Sequence, residues 1–463
     1  MTLPNSLVPH RFLGRVKTLP YEKPVIKLFD KYEFDSHDII KKKAEREAFM
    51  LKKVITCILG ILLLLNLAAC GGGEEKPAET ETSYLASAED TARLEETYRG
   101  RVAYHGEMHD HADTGGTSDG QKNLAFWKLA MDGFDMDFAT IVDHQQALHM
   151  QLEDWDDTIF IGGSEAAALP SDLAAATTVQ MHFNMIFSRP EDLVNTVTAY
   201  DALYPGTGFK AQVFPEDYDG EYADQMAGGW HFTYLYNDTA PTKAQMAQLV
   251  DLIKENNGMF VHVHPKSDGC IASTDVLDYW FADYTGLEVF YGYRGYAPER
   301  PETQRNYQLW LDLLAAGKKV WATAGSDKHA LPNTDALTTV YSHQKHADAY
   351  LGYFKTGDFV CGPVGIRMTV GDATMGGETA FAGNRVVFSV GDFHTSAYNP
   401  THKYRVELHT DSKVVFKQEL TDPTQTAYFA VDADETAAFY RVEIHDATSG
   451  LMHALGNPIW NTK

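Results

Sequence analysis

The sequence predicts an α/β protein in which a barrel of seven strand–helix units is followed by a small antiparallel β-sandwich. Short apolar runs alternate with amphipathic segments from about residue 98 to residue 357, an order typical of parallel strands joined by helices. After residue 358, apolar residues recur at every second position between polar turns, which is typical of a sandwich. The chain has 463 residues, 44% of them apolar, which is enough to bury cores of this size.

Residues 50–69 resemble the signal peptide of a bacterial lipoprotein. A basic start at 50–53 precedes an apolar run, and the box Leu67-Ala68-Ala69-Cys70 ends in the cysteine that carries the lipid in such proteins. The apolar run is shorter than the roughly 20 residues that span a bilayer, which disfavours a transmembrane anchor. We therefore expect Cys70 to anchor the protein by lipid outside the cytoplasm, at a bacterial outer membrane, on its periplasmic or surface face.

The segments on either side of this signal are not expected to contribute to the fold. Residues 1–49 precede the basic start, so we expect translation to begin at Met50, with a cytoplasmic tail as the alternative. Residues 70–97 are rich in Gly, Glu, Ala and Thr, which predicts a flexible acidic tether.

Charge and cysteine content narrow the classes of partner and ligand. With a formal net charge of −25, the surface repels nucleic-acid backbones, so no nucleic-acid polymer is expected as a partner, and nothing in the sequence implies a protein partner. Cys57 would be removed with the signal peptide, and Cys70 would carry the lipid. The sequence does not decide whether Cys270 and Cys361 form a disulfide. There is no Cys-x-x-Cys pair, so metal ligands are expected to be nitrogen and oxygen atoms.

The barrel, residues 98–357, is predicted from its apolar runs. Strands are expected near 101–107, 138–142, 158–162, 180–187, 258–264, 287–290 and 319–323. Amphipathic segments at 123–131, 243–256 and 302–314 fit helices between these strands. In such barrels the functional residues gather at the carboxyl ends of the strands.

Histidines and carboxylates stand at or near the ends of six of these strands. In chain order they are His109, His111, His144, Glu165, His182, His264, Asp327 and His329. Imidazole and carboxylate are suitable ligands for Zn, Mn or Fe. Any one of these residues alone is more often a turn or surface residue, but their shared placement predicts a metal centre.

The motifs around these residues resemble the PHP family, the polymerase-and-histidinol-phosphatase metallo-phosphoesterases. The motifs are Tyr104-His105-Gly106-Glu107-Met108-His109-Asp110-His111, Ser118-Asp119-Gly120, Ile141-Val142-Asp143-His144, Val263-His264-Pro265 and Gly325-Ser326-Asp327-Lys328-His329. The resemblance covers about residues 98–357 and implies a distorted (β/α)7 barrel, in agreement with the strand count from the apolar pattern.

The resemblance also implies two or three divalent metal ions, with Mn, Zn or Fe as the candidates. One ion would be held by His109, His111, Glu165 and Asp327, and Glu165 would bridge to a second ion held by His182 and His264. The third would be held by Asp119, His144 and His329. Asp119 lies further along the chain from His111 than in the family pattern, so Asp113 is an alternative ligand.

Ions held in this way imply hydrolysis of a small phosphate ester by a metal-bound hydroxide. Glu165 and Asp327 would then belong to the catalytic centre. Lys266 and Arg294 are candidates for binding a phosphate oxygen, although a solvated loop charge is an equally good interpretation of each. Lys328 and Arg300 have the same two interpretations, as phosphate-binding residues or as solvated loop charges. His105 either supports the pair His109 and His111 or is a turn histidine.

Two further segments are less informative. The aromatic-rich insertion 189–240 is either a lid near the mouth of the barrel or has a small core of its own. The sandwich, 358–463, is predicted from strands near 365–370, 384–390, 403–408, 413–420, 427–431 and 439–444. Its histidines, including His409 and His445, follow no ligand spacing and are expected to be structural or exposed. Its role is predicted to be scaffolding or substrate presentation, with the closing segment 456–460 packed back on the barrel.

Two other functions remain open at this point. One is a metal-dependent, amidohydrolase-type enzyme that cleaves a C–N or acyl bond with similar ligands. The other is a non-catalytic surface lipoprotein whose sandwich binds a glycan or a partner.

Overall fold

The computed structural model describes residues 84–114, 118–144, 146–168, 181–205, 241–265, 282–293, 295–330 and 332–462. The predictions for residues 1–49, for the signal peptide and for lipid on Cys70 lie outside these ranges. The end of the predicted tether forms helix α1 (Ala88–Thr97). Ser87 caps this helix by accepting from the Asp90 N–H, and Leu94 is buried, so capping and packing outweigh the polar composition.

The seven predicted barrel strands lie at the predicted places. They are β1 (Val102–Asp110), β2 (Phe138–Ile141), β3 (Phe160–Ala168), β4 (Met181–Phe187), β5 (Met259–His262), β6 (Thr285–Tyr291) and β7 (Val320–Gly325). They are neighbours in this order within one curled sheet.

The direction of β4 differs from that in the predicted (β/α)7 barrel. The pairs β1–β2, β2–β3, β5–β6 and β6–β7 are parallel, but β4 is antiparallel to both β3 and β5. The sheet is therefore mixed, and the prediction of seven parallel strands was wrong. Because β3 continues to Ala168 and β4 begins at Met181, the connection is near the minimum length of the helical crossover that parallel strands need.

The first and last strands of the curled sheet approach each other at the carboxyl end. The Asp327 N–H donates to the His109 carbonyl at 2.8 Å, and the His111 N–H donates to the Lys328 carbonyl at 2.8 Å. The first half of β1 pairs instead with the antiparallel strand β8 (Thr338–Ser342). Apart from its pairing with β2, the backbone hydrogen bonds of β1 are thus divided between β8 and the segment after β7.

Helices pack beside the sheet. They are α2 (Leu124–Gly133), α3 (Pro190–Leu203), α4 (Lys243–Glu255), α5 (Pro301–Ala315) and α6 (Ala347–Phe354). The side chains of Asn123 and Thr242 accept backbone N–H groups and cap α2 and α4. Helix α3 forms the first part of the predicted insertion 189–240, and residues 206–240 lie outside the described ranges. Among the described helices, none combines the length and the apolar composition of a membrane span.

The chain after α6 forms short, mostly antiparallel strands. They are β9 (Phe359–Cys361), β10 (Val364–Val370), β11 (Ala373–Thr374), β12 (Glu378–Thr379), β13 (Arg385–Phe393), β14 (Tyr404–His409), β15 (Val414–Glu419), β16 (Ala427–Asp432), β17 (Phe439–Asp446), β18 (Met452–Gly456) and β19 (Ile459–Asn461). Strands β10, β11, β13 and β16 form a separate four-stranded sheet. Phe388 of this sheet and Phe416 and Ile444 of the larger sheet share one apolar cluster, which gives a two-layered arrangement.

The larger sheet of this half is continuous with the curled sheet. Strand β18 pairs with β9, β9 with β8, and β8 with β1. One apolar core contains Trp321 and Trp310 from the barrel strands and helices together with Leu455 and Trp460 from the end of the chain. The closing segment packs against β7, where the buried Asn457 side chain accepts from the Ala322 N–H at 2.8 Å.

Candidate metal centre

The predicted metal ligands lie together at the end of the curled sheet where β1 and the segment after β7 meet. In chain order they are His109 in β1, His111 and Asp119 after β1, His144 after β2, Glu165 in β3, His182 in β4, His264 after β5, and Asp327 and His329 after β7. His182 stands near the start of its strand. Because β4 runs antiparallel to its neighbours, its amino end lies beside their carboxyl ends, so His182 reaches the same cluster.

Glu165 occupies the middle of this cluster, and its carboxylate contacts five imidazoles. Oε1 lies 2.9 Å from His182 Nδ1 and 3.1 Å from His264 Nε2, and Oε2 lies 3.3 Å from His109 Nε2, 3.2 Å from His111 Nε2 and 3.1 Å from His144 Nδ1. A carboxylate offers only about four acceptor sites. Five imidazoles around one carboxylate are therefore more than hydrogen bonding explains, whereas shared coordination of cations accounts for them.

Within this cluster, three groups of side chains offer ligand atoms that lie within 4.8 Å of one another. The groups are His109, His111, Glu165 and Asp327; Glu165, His182 and His264; and His111, Asp119, His144 and His329. They are the three sets implied by the family resemblance, with His111 added to the third. Asp119 Oδ2 lies 3.1 Å from His329 Nε2, whereas Asp113 is exposed, so the geometry favours Asp119 over its alternative.

The chemistry of the unsatisfied atoms fits a cation. His111 Nδ1 and Asp119 Oδ1 are buried without a hydrogen-bond partner among the described residues, although they are only 3.9 Å apart. Leaving such atoms unpaired is costly in a protein interior. A divalent ion between them would satisfy both atoms, and the nitrogen and oxygen donor set suits Zn, Mn or Fe.

The electrostatic environment separates the histidines into two kinds. Burial lowers the pKa of His144 to about 3 and that of His329 to about 4, so both rings are neutral at pH 7 and have a lone pair for a ligand bond. Burial also acts to lower the pKa of His109, but the carboxylates of Glu165, Glu288 and Asp327 outweigh it and raise this pKa to about 9. The carboxylates at the centre therefore favour a positive charge among them.

Two of the ligand candidates have unusual backbone conformations. His264 has a φ of 30° and Asp327 a φ of 51°. A positive φ at a residue other than glycine costs about 1–3 kcal/mol, and such conformations recur at functional sites as well as in turns. The surrounding structure holds both residues in these conformations, which aim their side chains at the cluster.

Two residues that the sequence analysis did not single out support the ligands. Glu288 accepts from His109 Nδ1 at 3.1 Å and from the His264 N–H at 2.8 Å, one donor on each oxygen. Tyr291 donates its hydroxyl proton to Asp327 Oδ2 at 2.9 Å. Glu288 is the only charged residue in β6, and this lone charge in an apolar strand is the signal that could have identified it.

The other residues that the sequence analysis considered for the metal centre include Lys266, Arg294, Lys328 and His105. Lys266 and Arg294 lie outside the described ranges. Lys328 Nζ is 3.0 Å from Asp335 Oδ2, so its charge is paired. His105 lies 2.9 Å from Thr339 Oγ1, which favours the structural interpretation of this histidine.

The sequence leaves open whether Cys270 and Cys361 form a disulfide. Cys361 is a buried free thiol that donates to the Thr323 carbonyl, and Cys270 lies outside the described ranges.

Comparisons with known proteins identify no family. No family model and no curated protein matches the sequence. The solved structures that it resembles include a candidate metal-dependent phosphoesterase from Bifidobacterium adolescentis, with 17% identity, a TM-score of 0.28, and coverage of 48% of this chain and 87% of the other. They also include an amidohydrolase from Chromobacterium violaceum, with 16% identity, a TM-score of 0.31, and coverage of 50% and 89%. TM-scores this low do not establish a shared fold, so the PHP assignment stays a prediction and the functional inference depends on the site itself.

Proposed function

We propose that the protein is a metal-dependent hydrolase and that its substrate is a small phosphate ester. The observation that carries this proposal is the Glu165 carboxylate, with two imidazoles on one oxygen and three on the other. A carboxylate in this position is suited to bridge two cations. Divalent ions bound side by side lower the pKa of water and stabilise the attacking and leaving oxygens of a phosphoryl transfer.

In this proposal, the residues of the chain bind the ions and orient the ligand side chains. His109, His111 and Asp327 would hold one ion, His182 and His264 would hold the next, and Glu165 would be shared between them. Glu288 fixes the ring of His109 so that Nε2 points at the cluster, and Tyr291 fixes the carboxylate of Asp327. Lys266 and Arg294 remain candidates for binding a phosphate oxygen.

A phosphate ester is the preferred substrate because of charge. The protein carries a formal net charge of −25, so an anionic substrate is bound only where positive charge is concentrated. Clustered divalent ions provide that concentration for an anionic ester, whereas a neutral amide gains only the polarisation of its carbonyl from them. Cleavage of a C–N or acyl bond is therefore the second choice, and the assay below separates the two.

The test uses the purified protein stripped with a chelator and then supplied with Mn, Zn or Fe salts. p-Nitrophenyl phosphate, bis(p-nitrophenyl) phosphate and a p-nitroanilide serve as the monoester, diester and amide. We expect release of p-nitrophenol that is lost on chelation and restored by one of the metals. Glu165→Gln should abolish both activity and metal binding at this centre, while Glu153→Gln, at an exposed site, should change neither.

Three results would contradict the proposal. Phosphoesterase activity that is unaffected by chelation would exclude the metals, cleavage of the amide alone would assign the second function, and full activity of Glu165→Gln would remove the site.

We also propose that lipid on Cys70 anchors this hydrolase outside the cytoplasm, as the order of basic, apolar and small residues at 50–70 indicates. Cys70→Ala should then move the protein from the membrane fraction to the soluble fraction. Equal membrane retention of the two forms would overturn the anchor without affecting the hydrolase.

A further inference from the structure

A second cluster of metal-ligating side chains lies far along the chain from the first, in the sheet of the C-terminal half. Glu407 and His409 lie on β14, and Glu443 and His445 lie on the neighbouring strand β17. The two strands are antiparallel, and Glu407 is directly opposite Glu443. Because side chains alternate along a strand, these four residues lie on one face of the sheet.

The opposed glutamates need an explanation. Like charges directly opposite each other on neighbouring strands destabilise a sheet. Here both are also removed from water, with Glu407 7% and Glu443 1% exposed. A positive charge must therefore lie between or beside the two carboxylates.

The outer oxygens of both glutamates already have partners. Oε1 of Glu407 lies 2.7 Å from Arg405 Nε and 3.2 Å from Lys417 Nζ. Oε1 of Glu443 lies 2.7 Å from Arg441 Nη2 and accepts from the Tyr307 hydroxyl at 2.6 Å. These contacts fix both carboxylates and leave the Oε2 atoms facing the two histidines.

The inner atoms form a set of four. His409 Nε2 lies 3.1 Å from Glu407 Oε2 and 3.3 Å from Glu443 Oε2. His445 Nε2 lies 3.0 Å from Glu443 Oε2 and 3.7 Å from Glu407 Oε2. Each imidazole thus contacts both carboxylates, and the four side chains offer ligand atoms that all lie within 4.8 Å of one another.

Four of the six ligand–ligand distances are compatible with a tetrahedral site. Zinc bonds to nitrogen and oxygen at about 2.0–2.1 Å, so neighbouring ligand atoms of a tetrahedron are about 3.3–3.4 Å apart. The four distances measured here, 3.0 to 3.7 Å, surround that value. Two imidazoles and two carboxylates are a donor set that suits zinc.

We propose that Glu407, His409, Glu443 and His445 bind a structural zinc ion. Four protein ligands leave no open position, which is the arrangement of structural sites rather than catalytic ones. The ion would join β14 to β17, and the Tyr307 contact would connect it to helix α5. Metal binding at His409 Nε2 would place the ring proton on Nδ1. Arg441 Nη2, 3.4 Å from Nδ1, would then no longer donate to this ring but would keep its hydrogen bond to Glu443 Oε1.

The alternative is a network of hydrogen bonds and ion pairs without a metal, in which each imidazole donates from Nε2 to a glutamate. The two interpretations differ in whether a metal ion lies among the four side chains. Diffraction data collected on either side of the zinc absorption edge, from crystals of the tag-free protein equilibrated with zinc, distinguish them. We expect an anomalous peak among the four side chains, separate from any peak at Glu165.

A count of bound metal tests the same point in solution. The double variant H409Q/H445Q should retain one zinc ion fewer per chain than the parent protein, and its melting temperature should respond less to added zinc. The control H343Q/H402Q also loses two histidines but none from the cluster, so its zinc content should match the parent.

Two results would overturn the proposal. One is the absence of an anomalous peak at this position while the Glu165 site is filled, and the other is an equal zinc count in the parent protein and H409Q/H445Q. If H409Q/H445Q does not fold, the anomalous data from the parent protein decide alone. Glu165→Gln, which should empty the first centre, should keep the peak at the second, so the two metal sites can fail independently.

Discussion

At the scale of single residues, Glu288 is the most informative side chain of the first centre. Its two oxygens accept from different donors, the His109 ring and the His264 backbone. Glutamine has one acceptor oxygen and would place an NH2 group against one of these donors. We therefore expect Glu288→Gln to weaken metal binding by about 10–100-fold, the usual effect of removing a partner that orients a ligand.

Titration of the stripped protein with Mn or Zn, followed by calorimetry, measures this loss. Glu153→Gln, which is exposed, is the matched control. Metal affinity equal to that of the parent would show that Glu288 only fills space.

Gly325 gives a second test at this scale. A Cβ atom at this position would lie 2.3 Å from Glu288 Oε1 and 2.5 Å from the His109 Cβ. Because both groups are buried and bound, Gly325→Ala should displace them and reduce hydrolysis by at least about 10-fold.

Gly352→Ala is the control for this variant, since a Cβ there meets nothing within 4 Å and the residue lies in helix α6. Alanine is favoured over glycine in a helix by about 1 kcal/mol, so this variant should be as stable as the parent or more so. Steady-state kinetics and thermal unfolding of both variants give the comparison, and full activity of Gly325→Ala would mean that the ligands tolerate a shift.

Most ligands of the first centre were predictable because they stand at or near the end of an apolar run, whereas His182 stands near the start of β4 and Asp119 was predicted from the family motif. Periodicity fixes where a strand ends, and strand ends in such a sheet share one edge. Glu288 lies inside β6 and Tyr291 ends it. The lone charge makes Glu288 unusual in a buried strand, but the ligands that both residues support are evident only in the folded chain. The same holds for Glu407 and His409, because their partners are on another strand.

At the scale of elements, the apolar pattern predicted positions but not directions. A buried strand has the same composition whether it runs parallel or antiparallel, so nothing in residues 181–187 indicated that β4 is reversed. The reversal matters for the site, because it brings the start of β4, with His182, to the edge where its neighbours end.

The junction between β7 and the end of the chain also belongs to this scale. Asn457 is fully buried, accepts from the Ala322 N–H at 2.8 Å and donates to the Phe359 carbonyl at 3.2 Å. Asn457→Ala leaves both backbone groups unpaired, and each such group costs about 1–3 kcal/mol. We expect the free energy of unfolding to fall by about 2–4 kcal/mol, measured by urea denaturation.

Gln151→Ala removes a side-chain amide at an exposed position and should change stability little. Equal stability of the Asn457 variant would indicate that water replaces the lost contacts. Such a result would weaken the view that the closing segment is part of the barrel structure.

At the scale of the whole molecule, the sequence predicted a barrel and a sandwich but not that the two regions share a sheet. Strands β18 and β9 pair, and the larger core includes Phe439, Leu455 and Trp460 beside barrel residues. A chain of residues 84–357 would therefore expose the edge of β8 and part of this core. We expect that fragment to be insoluble or to lack near-ultraviolet circular dichroism, whereas residues 84–463 unfold in one calorimetric transition. A soluble, fully folded 84–357 fragment would show that the barrel is independent of the C-terminal strands.

The acidity of the whole chain makes a separate prediction for catalysis, which depends on the proposed function. A formal net charge of −25 repels a dianionic monoester before it reaches the metal centre. The screening length falls from about 30 Å at 0.01 M salt to about 8 Å at 0.15 M, so added salt should weaken this long-range repulsion more than the short-range attraction at the ions. We expect kcat/KM for a phosphate monoester to rise about two- to fivefold over this range, with kcat unchanged.

A monoanionic diester provides the comparison, because its repulsion is smaller and its kcat/KM should change less. Potassium chloride is the suitable salt, since neither of its ions competes strongly for carboxylate and imidazole ligands. If kcat/KM instead falls as salt is added, the local field of the bound ions dominates at long range. Substrate capture would then be governed by the mouth of the site rather than by the acidic surface around it.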